Sequence, residues 1–419
     1  MEPKTEERQR SIPALAASAA AISMVLGDYD LVTDILLRLA PSGCLDLVRA
    51  AAVCRLWLRV ASDPAFLRRF RDLLPRRLIG FYLTAFSESR KCRVIEFVPM
   101  QPPQHPEVAA VLRRGCFVLD GYDVRQSTRV MDCRDGRVVV FRGGEFTLGV
   151  HSPLHPARGF DLFPRLPMRK ANRSRRIFQE ILSKEIGGDG LSYICVTMDY
   201  CWKEQAATVC VYMLQDDAWH MHSSASTQIH EFRYSALRRT SIFLAGDRIF
   251  MRITKGNVLV LDLASSTFFT IDFHAEKALV GELRLAPGDD SGVYLVHVKD
   301  IELSIWLHRA GNGGMGNWVL LHTIYLRDMC SNLRMPMGRG RTPVYIHGVG
   351  DNAEFVFLEM CGCVLYLDVK TRELQKVYEV TETDTFVAWI HPFVTKLTPT
   401  FPALKEQRPW KQRCAAMAR

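Results

Sequence analysis

The chain has 419 residues, 48% of them hydrophobic and 24% charged, and a formal net charge of +9. This is ordinary globular usage with room for more than one domain. No apolar run is long enough to span a bilayer. The charge is too modest to require a nucleic-acid partner. The twelve cysteines are scattered, so they read as reduced core thiols and not as a secreted disulfide framework.

The first 23 residues read as a disordered arm. Ala14–Leu26 is alanine-rich and slightly like a signal segment. Glu2, Glu6 and Glu7 offset the basic charges before it, so a frayed arm or an extra helix is expected there.

Residues 24–75 read as a small helical domain. Leu31, Ile35 and Leu39 fall at i, i+4 and i+8, and Val32 with Leu36 widens the stripe into the apolar face of a helix. Pro41 cannot continue that helix, and Ser42 can cap the next one. Leu45 and Val48 begin a second apolar face; Val53, Trp57 and Val60 make a third. Asp63-Pro64 has the cap-then-proline order that opens a helix, with Phe66, Leu67 and Phe70 behind it. A unit this small struggles to bury so many apolar side chains alone, so some are expected to face a partner; the alternative from spacing alone is an ordinary helical subdomain packed on the rest of the chain.

The order leucine-rich helix, Pro41, Val53-Cys54-Arg55-x-Trp57, then Ser62-Asp63-Pro64-x-Phe66-Leu67 resembles the F-box. That family docks the Skp-type adaptor of a cullin-based ubiquitin ligase. The resemblance implies adaptor contacts from Leu31, Val32, Ile35, Leu36, Leu39, Leu45, Val53, Cys54 and Trp57. Where the family opens with Leu-Pro, this chain reads Gly27-Asp28, so a cap from Asp28 or Asp30 is expected to start the helix.

From about Leu78 the texture changes to short runs rich in Val, Ile, Phe and Tyr, split by Gly, Asp and Asn. Arg137–Phe141 and Phe146–Val150 bracket Gly143-Gly144, a hairpin signal. Arg165–Arg176 is a dense basic run, read as a solvated loop, with a nuclear-import or anionic-contact patch as the alternative. Tyr193–Met198 with Thr208–Leu214, Arg248–Ile253 with Val258–Leu263, and Val293–Val298 with Leu303–His308 and Trp318–Leu321 continue the series. Glu354–Glu359 turns at Cys361-Gly362-Cys363 into Val364–Val369. Two of these units read as copies: strand, tight turn, strand ending in Leu-Asp-Leu263 or Leu-Asp-Val369, polar turn, strand. Such a unit cannot cover its own faces, so neighbours must stack on it. The spacing gives about six units, near 78–98, 130–165, 193–225, 241–273, 291–327 and 354–380, which suggests a propeller, with a β-sandwich plus extra sheet as the alternative.

This part is also similar to the repeats behind the F-box in a large plant family, notably its grass branch. The likeness rests on Asp132-Cys-Arg-Asp-Gly136, Leu259–Leu263, Val296–Asp300 before Leu303–Trp306, Trp318-Val-Leu, and the closing Trp389–Pro399 stretch. It implies an F-box followed by a β-propeller-like domain. With the unit count, the expectation is an α+β multidomain chain: an all-α F-box at 24–75, a mainly antiparallel β-propeller-like domain of about six blades at 76–397, and a basic tail at 398–419.

No enzyme signature is expected. Pro153 separates His151 from His155, so no helix presents both. His220 and His222 alternate on a strand without a third ligand nearby, and Cys361/Cys363 lack a second pair. Gly311–Gly316 leads into a strand and not a helix, so it lacks a phosphate-binding helix end. Trp306 and Trp318 read as inward-packed; Trp202 and Trp219 border polar turns and read as core or as exposed anchors. The expectation is a non-catalytic substrate receptor without cofactor or metal, cytoplasmic and/or nuclear, partnered by the adaptor, through it a cullin, and an unknown target. The alternatives are an F-box scaffold or regulator outside the ligase and a carbohydrate- or small-ligand-binding propeller.

Overall fold

The computed structural model describes residues 24–401, apart from the segments 88–91, 101–105, 120–127, 144–146, 167–174, 187–189, 230–241, 253–255, 274–282, 290–291, 310–315, 334–342, 381–383 and residue 400. Its described residues fall into two units. One holds residues 24–77 and 395–401, the other residues 78–186 and 190–394. The 1–23 arm, most of the tail, most of the basic run and the Gly311–Gly316 loop lie outside the described residues.

The first unit is helical: α1 (Tyr29–Leu37), a 3₁₀ turn at Ala40–Ser42, α2 (Cys44–Ala51), α3 (Arg55–Ala61) and α4 (Pro64–Leu73). Pro41 sits in the 3₁₀ turn, where its missing N–H costs nothing. The apolar stripes converge on one core containing Val32, Leu36, Leu47, Val60, Phe66 and Phe70. The Phe66 and Phe70 rings stack at 5.7 Å. The far end of the chain completes this unit. Phe401 packs against the same core, and Lys396 Nζ donates to the Asp72 carbonyl at 3.1 Å, near the open C-terminal end of α4.

The second unit is built of six antiparallel sheets. The first holds β1 (Arg77–Ser87), β2 (Cys92–Pro99) and, from the other end of the chain, β23 (Asp384–Thr395), in the order β2-β1-β23. The helix α5 (Pro106–Arg114) follows β2. The second sheet is β3 (Arg129–Arg134), β4 (Arg137–Arg142), β5 (Thr147–His151) and β6 (Phe160–Leu162). The third is β7 (Arg175–Ile186), β8 (Gly190–Cys201), β9 (Ala206–Gln215) and β10 (Ala218–Gln228). The fourth is β11 (Ile242–Ala245), β12 (Arg248–Met251), β13 (Asn257–Asp262) and β14 (Thr267–Asp272). The fifth is β15 (Leu283–Pro287), β16 (Val293–Lys299), β17 (Glu302–His308) and β18 (Trp318–Tyr325), followed by helix α6 (Leu326–Asn332). The sixth is β19 (Val344–Val349), β20 (Phe355–Met360), β21 (Cys363–Asp368) and β22 (Glu373–Glu379). Within sheets two to six the strands neighbour one another in chain order.

Apolar clusters bind each sheet to the next. One joins the second sheet to the third through Val139 and Ile181. Others join the third to the fourth through Val209 and Ile249, the fourth to the fifth through Val260 and Leu295, and the fifth to the sixth through Ile305 and Leu358. The sixth meets the first through Phe357 and Phe81. The first meets the second through Cys116 and Phe117. Phe117 stacks on Phe97 at 4.2 Å, its carbonyl accepts from Tyr82 Oη at 3.0 Å, and the Cys116 N–H donates to Pro153 O. The ring is closed, so this is a six-bladed propeller, and the sandwich alternative falls away.

Sandwiching between blades explains the sequence texture. The middle strands are covered on both faces, so β13 reads Asn-Val-Leu-Val-Leu-Asp with all four interior residues buried. The Leu-Asp repeat has a turn function. Asp262 Oδ1 accepts from the Ala264 and Ser265 N–H groups, each at 3.1 Å, and Asp368 Oδ1 accepts from the Thr371 N–H at 2.8 Å. Two-residue hairpins Asp135-Gly136 and Cys361-Gly362 have positive φ at both positions (47° and 74°, 52° and 71°), which suits strand twist.

The basic run is corrected in part. Arg175 and Arg176 open β7 and pair with Cys201 and Tyr200, so they belong to a strand and not to a loop.

Candidate functional site

Two places gather chemistry-bearing residues: the surface of the helical unit and the innermost strands of the propeller.

On the helical unit a side-chain cap opens α1. Asp28 Oδ1 accepts from the Asp30 and Leu31 N–H groups, both at 2.9 Å. Trp57 Nε1 donates to the Leu26 carbonyl at 3.4 Å, tying α3 to the approach to α1. At α4, Asp63 Oδ1 accepts from Ala65 N at 2.7 Å and Phe66 N at 3.0 Å, with Pro64 at the first helical position. Asp28→Ala is expected to lower the melting free energy of the helical unit by about 1 kcal/mol. Amide exchange over α1 reads this directly, and unchanged protection there would remove the cap from the account.

The nine residues named for docking divide by burial. Leu31 is 46% exposed and Val53 67% exposed. Cys54 is exposed, while Ile35, Leu39, Leu45 and Trp57 are half-buried. Val32 and Leu36 have no exposed surface. Their spacing put them on the same stripe as Leu31, but the inner part of that stripe is covered by α2, α3 and α4. They brace the surface from beneath. Val48 on α2, at 41% exposure, is a further surface apolar residue of this unit.

On the propeller, charged groups from four blades share one neighbourhood. Arg129 of β3 acts electrostatically on both Glu180 of β7 and His391 of β23, and Arg284 of β15 acts on His391. Arg284 Nε also donates to the Ile346 carbonyl at 3.0 Å. Residues so distant in sequence come within electrostatic range of one another only because these are the innermost strands of their blades. Burial pushes the Glu180 carboxyl up to about 7, opposed by Arg129 and reinforced by Asp132. Burial pushes the His391 imidazole down to about 4, and the Arg129 and Arg284 cations add to the effect.

These two shifts oppose each other in stability. Glu180 has an ordinary value of 4.5, so the unfolded chain loses its proton first and stability falls as pH rises from 4.5 towards 7. His391 has an ordinary value of 6.5, so the unfolded chain gains a proton first and stability falls as pH drops from 6.5 towards 4. Between pH 4.5 and 6.5 the two slopes cancel. Glu180→Gln is expected to leave stability rising with pH there, and His391→Asn to leave it falling, each by up to about 1.4 kcal/mol per pH unit. Denaturant titrations at several pH values check the opposite signs.

No activated nucleophile accompanies these groups among the described thiols with a resolved shift. Burial pushes Cys133, Cys195, Cys330 and Cys363 upwards, away from the thiolate. His220 and His222 are exposed on β10, and His151 Nε2 lies 2.9 Å from the Cys116 carbonyl. Among the described residues no three His, Cys, Asp or Glu side chains are grouped to hold a metal. Among them, too, no helix is long and apolar enough to cross a membrane. Trp219 is a structural hook, donating to Pro164 O at 3.1 Å and meeting Phe163 edge-on. Trp306 and Trp318 pack half-buried against the cluster between the fourth and fifth blades. Trp202 is 42% exposed and leans on Tyr200.

The family described as F-box protein AT5G49610-like, β-propeller, matches residues 129–401. No curated protein matches the chain. Solved structures that align with it include a Lactobacillus plantarum protein, 8% identical over 73% of this chain and 83% of that one, with a TM-score of 0.33. Another is a prolyl endopeptidase, 14% identical over 81% of this chain and 55% of that one, at 0.34. A third is Saccharomyces cerevisiae Sqt1, 13% identical over 61% of this chain and 63% of that one, at 0.32. At these scores none of the three bears on fold or chemistry here.

Proposed function

The chain belongs to the F-box protein AT5G49610-like β-propeller family, and from that premise we propose that it is a substrate receptor of a ubiquitin ligase built on a Skp-type adaptor and a cullin. The observation that carries this reading is the helical unit. It has its own closed core yet leaves Leu31, Val48 and Val53 in solvent. Exposed apolar residues on a small unit are expected where a partner covers them. In this reading Leu31, Ile35, Leu39, Leu45, Val53, Cys54 and Trp57 meet the adaptor, and Val32 with Leu36 hold them in place. The propeller binds the target, and the ligase works by proximity: it raises the local concentration of a target lysine at the ubiquitin-charged enzyme. The chain itself does no bond chemistry. It acts in the cytoplasm and/or the nucleus, as a plant, grass-type member of its family.

The test is co-purification of the full chain with a Skp-type adaptor. A stoichiometric complex is expected, lost on Val53→Asp, because a carboxylate would be desolvated at the interface without a partner. Absence of a complex with the wild-type chain, or a complex indifferent to Val53→Asp and Leu31→Asp, would overturn the proposal.

A further inference from the structure

The outer strand of the fifth blade exposes four large apolar residues, where β6 exposes Leu162 and β10 exposes Met221, and β2, β14 and β22 expose none among the described residues. β10 and β22 carry His, Ser, Thr, Gln, Glu and Lys towards solvent. β18 reads Trp-Val-Leu-Leu-His-Thr-Ile-Tyr, and Val319, Leu320, Leu321 and Tyr325 are 56%, 45%, 41% and 60% exposed. It is the edge of its sheet, and no described strand pairs with its outer side. Natural edge strands are usually guarded by charge, proline or brevity. β18 has eight residues and neither a proline, a lysine nor a carboxylate.

A pocket opens beside this edge. Its volume is about 340 Å³, and Tyr294, Ile305, Leu321, His322, Lys370 and Arg372 are among its walls. A bulge places Leu321 there: Ile305 pairs with His322 and Trp306 with Leu320, so Leu321 is the extra residue. Tyr294, Ile305, Leu321, Ala353 and Val369 give it an apolar lining, and Lys370 and Arg372 are its two cations. Lys370 and Arg372 are exposed in the β21–β22 turn and form no ion pair among the described residues. One carboxylate, Glu354, stands against them.

We propose that β18 and this pocket bind an extended acidic peptide, added to the blade as a fifth strand, with an apolar side chain in the pocket and a carboxylate facing Lys370 and Arg372. A strand satisfies the open backbone groups of β18, which a helix cannot do. The charge selects an acidic strand. A second copy of this chain is the wrong occupant, since it brings a net charge of +9 and offers no carboxylate from its own β18. Exposed charges add little affinity, so they set selectivity while the main chain and the pocket supply binding. That the peptide belongs to a ligase target rests on the receptor reading above; the binding itself does not.

The probe is a fluorescent eight-residue peptide alternating valine and glutamate, titrated against the full chain by anisotropy. It is expected to bind at least about tenfold more tightly than the valine–lysine peptide, and more tightly than the same peptide fully N-methylated, which cannot pair as a strand. Lys370→Glu is expected to reverse the charge preference, and Leu320→Lys to abolish binding, with both variants keeping the wild-type melting temperature. Equal binding of the two charge forms, retained binding after N-methylation, or no binding at all would overturn the proposal. So would a self-associated chain dispersed by Leu320→Lys, which would assign the edge to a second copy. Adaptor binding is measured on the same samples. Loss of peptide binding alone refutes only this proposal, and loss of adaptor binding alone refutes only the receptor reading.

Discussion

Replacing Leu36 with aspartate is expected to unfold the helical unit, while the same change at Val53 leaves it folded. Leu36 has no exposed surface and lies in the core with Val32, Leu47, Val60 and Phe70. Removing a buried leucine side chain costs about 2–5 kcal/mol. Burying a carboxylate without a partner adds several kcal/mol more or forces its protonation. A unit this small has little stability beyond that sum. Val53 is 67% exposed, and a polar surface change there moves folding by no more than about 0.5 kcal/mol. Under the proposed receptor role both variants are expected to lose the adaptor, for different reasons. Hydrogen exchange over residues 24–74 separates them: protection collapses in the Leu36 variant and persists in the Val53 variant. Persistent protection with aspartate at position 36 would remove Leu36 from the core.

Phe357→Ala is expected to lower the stability of the propeller by about 3–5 kcal/mol. Phe357 is fully buried, with the Phe81 ring centroid at 4.8 Å, Phe355 at 5.7 Å and Tyr366 at 5.6 Å. Phe81 belongs to the blade that pairs β1 and β2 with β23, so this aromatic cluster sits at the join where the last blade meets the first. A cavity there weakens closure of the ring as well as the local core. Tyr325→Ala, at a residue 60% exposed, is the control and should change stability by no more than about 0.5 kcal/mol. Guanidinium titration of the β unit compares the two. Equal midpoints would mean that the join contributes no more than a surface residue does.

Much of this was legible in the residues. Propeller blades are local in sequence, so each hairpin shows itself as two apolar runs with a turn between them. Cys361-Gly362 and the Leu-Asp repeats marked two blades outright, and the repeat spacing placed all six units. The helix caps at Asp28 and Asp63 were equally local, because a cap needs only a side-chain oxygen and the next two or three N–H groups.

What escaped was non-local. The innermost strands β7, β15 and β19 carry residues such as Gln179, Glu180, Arg284 and His347, so they lack a clean apolar run. They are strands because a neighbouring strand supplies hydrogen bonds, not because of their own pattern. That Asp384–Thr395 joins β1, some 300 residues earlier, follows from ring closure and has no local signal. The meeting of Arg129, Glu180, Arg284 and His391 depends on that same closure. So does the division of the first helix. Periodicity determined that Leu31, Val32, Ile35 and Leu36 share one broad apolar face, because 3.6 residues make a turn. Only the packing of α2, α3 and α4 decided that Val32 and Leu36 are sealed in while Leu31 stays in water, since a period specifies a face but not what covers it.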